Sequence, residues 1–177
     1  MLAVLAAGLG ARDQVLMARM AGRGSVLATG LGCALLTTGA AGWAGHAVAP
    51  LLNSPTRALL VAMALGFAAV ELILVRPGRK PLEPTQSLGA FTVVILAQQL
   101  TDAARFTVFA IAAASPVPWV AVGGGALGSA ATVLAGWLGG SEWEAQPLGR
   151  IRRGLGLLLL LVTIYLAYPV LAARFAA

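Results

Sequence analysis

The chain has 177 residues, of which 59% are hydrophobic and only 10% are charged. Because soluble domains carry about 25% charged residues, this composition excludes an ordinary soluble or disordered chain and indicates membrane-spanning helices. The net charge of +6 comes from basic residues that lie mostly between apolar stretches; we therefore interpret them as topology signals and expect no nucleic-acid partner.

Apolar stretches recur six times along the chain. A helix needs roughly 20 apolar residues to cross about 30 Å of hydrocarbon, and segments rich in Gly, Pro or Arg separate the stretches. The predicted spans cover residues 1–20, 25–48, 57–75, 88–114, 117–140 and 151–172. We therefore predict an all-α membrane protein with six transmembrane helices and the lipid bilayer as its surroundings.

Basic residues concentrate in the loops after the first, third and fifth spans. These are Arg19, Arg23, Arg76, Arg79, Lys80, Arg150, Arg152 and Arg153. The opposite side has only Arg57 and Arg174. The positive-inside rule then makes the three loops cytoplasmic and puts both termini outside, and we expect a bacterial inner membrane. Glu71, close in sequence to Arg76, is predicted to lie at the cytoplasmic interface.

Two of the predicted spans share a stripe of small residues. The stripe of the second span recurs 94 residues later in the fifth span: Gly30, Ala34, Thr38 and Gly42 correspond to Gly124, Gly128, Thr132 and Gly136. Such stripes let helix backbones approach closely, within one chain or between two copies of a homo-oligomer. We predict a repeat of three helices at 1–75, a cytoplasmic loop at 76–87 and a second repeat at 88–177. With three spans each, the repeats must be inverted, and their shared site lies near the bilayer midplane.

The first helix of each predicted repeat carries polar residues inside its apolar run. They are Arg12, Asp13 and Gln14 in the first span, and Gln98, Gln99, Thr101, Asp102 and Arg105 in the fourth. A charge at mid-membrane costs about 2.5–3.5 kcal/mol on insertion scales. Either these residues form a polar binding site between the repeats, or ion pairs merely hold the helices together. The possible pairs are Arg12 with Asp102, Asp13 with Arg105, and Asp102 with Arg105.

Two short motifs in these helices resemble the signature of a known family. Residues 8–14 read Gly-Leu-Gly-Ala-Arg-Asp-Gln, and residues 99–105 read Gln-Leu-Thr-Asp-Ala-Ala-Arg. The chain resembles the Gdt family of small divalent-cation/proton antiporters, whose repeats each carry a Glu-any-Gly-Asp-Lys/Arg-Thr/Ser motif, often followed by Gln. The family's four acidic positions fall on Gly8, Ala11, Gln99 and Asp102, so only Asp102 keeps a carboxylate.

The resemblance implies a secondary transporter that exchanges a divalent cation, manganese above all, for protons. Asp102 and Gln99 would be the metal ligands, Thr101 would add an oxygen, and Asp13 would supply a fourth. Hard cations of this kind prefer several oxygen ligands, usually with more than one carboxylate. The resemblance also implies two inverted three-helix repeats, in agreement with the pattern of spans.

Two other functions remain open at the level of sequence. The lost carboxylates and the retained Arg12 and Arg105 would suit an anion or a zwitterion as the transported substrate. Alternatively, the chain is a non-transporting membrane partner protein. An enzyme is not expected, because no nucleophile–base set, metal-hydrolase motif or phosphate-binding loop is present; no cofactor is predicted either.

Overall fold

The computed structural model describes residues 1–75, 87–144 and 146–175, and every regular element in these ranges is helical. The helices are α1 (Leu2–Gly8), α2 (Arg12–Arg19), α3 (Gly24–Val48), α4 (Ser54–Leu74), α5 (Leu88–Leu100), α6 (Ala103–Ala114), α7 (Pro118–Glu144) and α8 (Leu148–Phe175). A 3-10 turn at Ala49–Leu51 follows α3. Nearly all of the predicted cytoplasmic loop, 76–86, lies outside the described residues.

Within the described ranges, four helices are long and apolar enough to cross a membrane. They cover Gly24–Leu51, Ser54–Leu74, Pro118–Gly140 and Leu148–Ala173. These segments coincide with the second, third, fifth and sixth predicted spans. The prediction of an all-helical integral membrane protein is therefore confirmed at this level.

The first and fourth predicted spans are each split into two short helices, so the prediction of continuous helices at 1–20 and 88–114 is wrong. Between α1 and α2 the chain leaves the helix at Leu9, which is extended; Gly10 follows with a φ of +68°, and Ala11 is extended again. Between α5 and α6 the backbone of Asp102 is extended, with φ −92° and ψ 147°. Glycine adopts a positive φ at little cost, and Asp102 occupies the N-cap position of α6 without a capping hydrogen bond from its side chain. We call residues 9–11 the first break and residues 101–102 the second break.

The small-residue stripes pack inside the chain. A Cβ on Gly42 of α3 would collide with Val122 of α7, and a Cβ on Gly136 of α7 would collide with the backbone of Gln14 in α2. Helix α2 packs against α7, and α6 packs against α3. The small residues of the stripes therefore let each broken helix pack closely against a long helix from the other half of the chain, α2 against α7 and α6 against α3.

The helices bury two main apolar clusters, one on each side of the breaks. The first joins α2, α3, α5 and α7 through residues such as Met17, Phe91 and Ile95, and the second joins α1, α4 and α6. In the apolar stretch of α8 only 6% of the residues are buried inside the protein, against 33–39% in the corresponding stretches of the other three long helices. Helix α8 is therefore the peripheral helix, and most of its side chains point away from the protein.

Candidate functional site at the two helix breaks

The two breaks lie side by side, and polar side chains connect them. At the start of α2, Arg12 Nη2 donates a hydrogen bond to Thr101 Oγ1 at 2.9 Å. Next to it, Gln99 Nε2 donates to Asp13 Oδ2 at 3.2 Å. The structure thus brings together the predicted site residues of the first and fourth spans, although 86 or more positions separate the partners in sequence.

A buried chain of hydrogen bonds continues from Gln99 to Asp102. Thr37 Oγ1 donates to Gln99 Oε1 at 3.2 Å and accepts from Arg105 Nε at 3.0 Å. Arg105 Nη1 in turn donates to Asp102 Oδ2 at 3.3 Å. The five side chains from Asp13 to Asp102 are each no more than 4% exposed. Together they form a polar path through the protein from one break to the other.

Thr37 lies at the centre of this chain of hydrogen bonds, although the residue was not predicted from the sequence. Thr37 occupies α3 among the small residues of the stripe, where threonine usually serves packing. Its hydroxyl has a single proton and two kinds of acceptor, Gln99 Oε1 and the α3 carbonyls of Cys33 and Ala34. Its position next to Thr38, another hydroxyl residue in an apolar span, is the only sequence signal that could have drawn attention to it.

Asp13 and Gln14 fix the first break. Asp13 Oδ1 accepts from the backbone N–H of Gln14 at 2.8 Å, so both carboxylate oxygens of Asp13 are hydrogen-bonded. Gln14 Oε1 accepts from Gly10 N at 2.6 Å, while Gln14 Nε2 donates to the carbonyl of Thr132 in α7 at 3.0 Å. These bonds hold the positive-φ backbone of Gly10 and tie it to α7.

Asp102 and its neighbours retain unsatisfied buried atoms. Within the described residues, Asp102 Oδ1, Arg105 Nη2 and Gln98 Oε1 are buried without a hydrogen-bond partner. Leaving such atoms unpaired costs about 1–3 kcal/mol each, and buried polar atoms in native proteins are nearly always paired. The second break therefore offers one oxygen acceptor, Asp102 Oδ1, and one guanidinium donor, Arg105 Nη2, to a small ligand.

Of the three ion pairs considered from the sequence, the structure forms Asp102 with Arg105. Arg12 and Asp13 instead bind the uncharged side chains of Thr101 and Gln99. The pairings of Arg12 with Asp102 and of Asp13 with Arg105 do not occur in the part of the chain that the structure describes. The Asp102–Arg105 contact uses one oxygen and one nitrogen, which leaves the second atom of each group available.

Glu71 and Arg152 add a second buried ion pair. Arg152 Nη2 lies 2.6 Å from Glu71 Oε2, and the two residues are 1% and 7% exposed. Arg152 Nη1 also donates to the carbonyl of Leu9 at 3.0 Å. The prediction that Arg152 belongs to a loop is wrong, whereas the position of Glu71 at the cytoplasmic interface stays a prediction. Helix α8 already begins at Leu148, which puts Arg152 one turn inside it.

Six charged side chains surround the breaks, and their formal charges cancel. They are the carboxylates Asp13, Glu71 and Asp102 and the guanidinium groups Arg12, Arg105 and Arg152. Asp13, Glu71 and Arg152 lie close enough to Asp102 to act on its charge, as does Arg105. Because opposite charges compensate each other, the cluster can persist inside a membrane where one unpaired charge would be costly.

The predicted metal ligands differ in what they can still bind. Asp102 keeps a free oxygen, whereas Gln99 uses its amide oxygen for Thr37 and its amide nitrogen for Asp13. Thr101 Oγ1 accepts from Arg12 and lies within donating distance of its own helix carbonyls. No group of three or more His, Cys, Asp or Glu side chains converges on a metal position within the described ranges.

No family model matches the chain, and neither a curated protein nor a solved structure does. The fold and the site define an all-helical integral membrane protein with a buried, charge-balanced cluster where two broken helices meet. The resemblance to the Gdt family stays a prediction that depends on the motifs at 8–14 and 99–105.

Proposed function

We propose that the protein is a secondary transporter with six membrane crossings arranged as two inverted three-helix repeats. The position of the breaks supports this arrangement. Ala11 and Asp102 are the last non-helical residues before α2 and α6, and they lie 91 positions apart, close to the 94-residue offset of the stripes. Broken helices that meet at the midplane between inverted repeats are typical of secondary transporters.

The packing of the helices also agrees with inverted repeats. Helix α2 packs against α7 and α6 packs against α3, so each broken helix contacts the second helix of the opposite repeat. In this proposal each broken helix counts as one membrane crossing. The first repeat then covers 1–75 and the second 88–177, joined by the loop at 76–87.

The proposed orientation puts the basic loops in the cytoplasm and both termini outside. Ala21 of the first loop lies near Gly140 at the end of the fifth span, and Met20 and Arg23 line a cavity with Ser87 and Leu88. The chain ends that flank the three basic loops therefore lie at one end of the bundle. Arg23, Arg150 and Arg153 are exposed there, as the positive-inside rule requires of cytoplasmic charges. A bacterial inner membrane is the compartment that we propose.

The observation that carries the proposed activity is the free, buried Oδ1 of Asp102 at the second break. We propose that a divalent cation such as manganese binds this oxygen, in exchange for protons. Carboxylate and carbonyl oxygens are suitable ligands for manganese, and Gln98 Oε1 is a second free oxygen nearby in sequence. Thr101 and Leu100 are exposed, so the second break reaches the surface of the bundle.

A zwitterion or an anion is the second candidate substrate, because Arg105 Nη2 is also buried and free. A zwitterionic molecule would bind the free oxygen of Asp102 through its cationic group and the free nitrogen of Arg105 through its anionic group. In this alternative the transport architecture is unchanged, and only the substrate differs. Arg12, half-buried at the first break, would add a second positive charge.

The test is manganese flux into proteoliposomes under an imposed pH gradient. We expect flux that requires the gradient from the wild-type protein, and a loss of flux from Asp102→Asn. Glu142→Gln is the matched control, because Glu142 is an exposed carboxylate at the end of α7. Undiminished flux from Asp102→Asn would refute the role of this carboxylate. A folded wild-type protein without manganese flux would direct the assay to zwitterions and anions, and failure there would favour a non-transporting partner protein.

A further inference from the structure

We propose that Glu71 and Arg152 are positioning residues that couple the two helix breaks, so that the backbone at one break cannot open without the other. Both residues lie outside the broken helices, on α4 and α8. The pair connects the carbonyl end of α1 with the amide end of α6. We refer to this connection as the Glu71–Arg152 bridge.

One end of the bridge holds the first break. Leu9 ends α1 in an extended conformation, so its carbonyl has no partner within the helix. Arg152 Nη1 donates to this carbonyl at 3.0 Å. A Cβ added to Gly10 would lie 2.8 Å from Leu148 Cβ and 3.2 Å from Arg152 Cδ. The first break therefore rests directly on the first turn of α8.

The other end of the bridge holds the second break. The Glu71 carboxylate accepts a hydrogen bond from Arg152 Nη2 at 2.6 Å, and the backbone N–H of Ala103 lies near enough to act on its charge. Ala103 is the first residue of α6, where the backbone amides lack helix partners and the helix dipole favours a negative charge. Glu71 therefore supplies a carboxylate to the start of α6 from a neighbouring helix.

The supports of the bridge are themselves closely packed. A Cβ on Gly156 of α8 would lie 3.0 Å from both the carbonyl oxygen of Ala69 and Leu72 Cβ in α4. The direct contacts of Arg12 with Thr101 and of Asp13 with Gln99 join α2 to α5. The bridge joins the other two half-helices, α1 and α6, which completes the connection between the breaks.

Loss of either charge leaves its partner buried without compensation. A buried ion that loses its counter-ion is strongly destabilising, so the remaining side chain is expected to leave its position and release the backbone group that it holds. The effect of one substitution then reaches both breaks. This coupling is a property of the fold, whereas its use in moving an ion across the membrane rests on the proposed function.

Backbone amide exchange, measured by mass spectrometry on the full chain in lipid nanodiscs, tests the coupling. We expect Glu71→Gln and Arg152→Gln each to accelerate exchange at both breaks, in peptides that cover 9–14 and 101–106, by about tenfold or more. The matched controls Glu142→Gln and Arg153→Gln remove exposed charges of the same kinds. They should leave exchange at both breaks unchanged.

The pattern across the two single variants decides the outcome. If Glu71→Gln opens only the start of α6 and Arg152→Gln opens only the first break, the residues act as separate caps and the coupling is refuted. Unchanged exchange in both variants would refute it as well. If a single variant does not fold, the charge-neutral double variant replaces it, and faster exchange at both breaks is again expected, whereas protection equal to wild type overturns the proposal.

Flux measurements on the same variants separate this inference from the proposed function. Coupled exchange together with flux reduced in both single variants and normal in Arg153→Gln supports both ideas. Coupled exchange in a protein whose wild type transports no manganese, zwitterion or anion supports the bridge and refutes the transporter. Flux at the wild-type rate from a Glu71 or Arg152 variant in which amide exchange is faster at both breaks would overturn the positioning role.

Discussion

Asp13 and Asp102 each lie at the start of a half-helix, and three buried side chains join their carboxylates into one hydrogen-bonded path. A carboxylate at a helix N-terminus is stabilised by the helix dipole. The two residues nevertheless differ, because both oxygens of Asp13 are hydrogen-bonded whereas Asp102 keeps Oδ1 free. The path therefore has a free carboxylate oxygen at the second break, whereas both carboxylate oxygens are bonded at the first break.

The first prediction concerns Thr37, which links Gln99 to Arg105. Thr37→Val keeps the shape of the side chain but removes the hydroxyl, so Arg105 Nε loses its acceptor and Gln99 Oε1 loses its donor. We expect a stability loss of about 1–3 kcal/mol from the unsatisfied groups, together with reduced flux. Thermal unfolding in detergent and the proteoliposome assay measure the two effects.

Thr92→Val is the control for this substitution, because the Thr92 hydroxyl donates only to the carbonyl of Leu88 in its own helix. Its Tm should stay close to that of the wild type. Equal stability and equal flux for Thr37→Val and Thr92→Val would show that the path from Asp13 to Asp102 has no energetic importance.

The second prediction concerns the backbone at the first break. Gly10→Ala forces a side chain into a left-handed conformation, which costs roughly 1–2 kcal/mol, and its Cβ would also press on Leu148 and Arg152. Gly22→Ala has the same kind of φ, +90°, but nothing lies near its Cβ. We expect a larger fall in Tm for Gly10→Ala than for Gly22→Ala. Equal changes would mean that contact with α8 contributes nothing to the break.

The third prediction concerns orientation in the membrane. Cys33 is the chain's only cysteine and is buried, so Cys33→Ala provides a background for single cysteines. In intact cells, a membrane-impermeant maleimide should label Arg57→Cys, at the end of the bundle opposite the basic loops, and should not label Arg153→Cys until the cells are opened. The reverse labelling pattern would invert the proposed topology.

Much of the fold could be predicted from apolar length and from small-residue spacing, because both report on lipid exposure and helix packing. The two breaks could not, because Gly10 and Asp102 interrupt apolar runs that are otherwise long enough to read as helices. Helix α1 has only 7 residues and α6 only 12, and their ends are stabilised by groups from other helices. A local pattern carries no information about such long-range partners.

In the candidate site, too, the sequence indicates which residues are polar but not which distant residues pair with each other. Polar residues at mid-membrane positions identified Asp102, Arg105, Gln99 and Asp13 correctly as neighbours. The buried pairing of Glu71 with Arg152 was not predicted, because each residue lies near the end of its helix and close in sequence to loop charges. Glu71 and Arg152 are buried because α4 packs against α8, and the two residues lie 81 positions apart in the sequence, so no local pattern reports their contact.

The balance of three carboxylates and three guanidinium groups has an electrical consequence. A membrane potential acts on net charge, at about 2.3 kcal/mol per elementary charge per 100 mV. Because the cluster's own formal charges sum to zero, the field exerts no net force on its six side chains when they move together. The cluster itself would then contribute no voltage dependence to transport, in contrast to the charge that a bound ion brings.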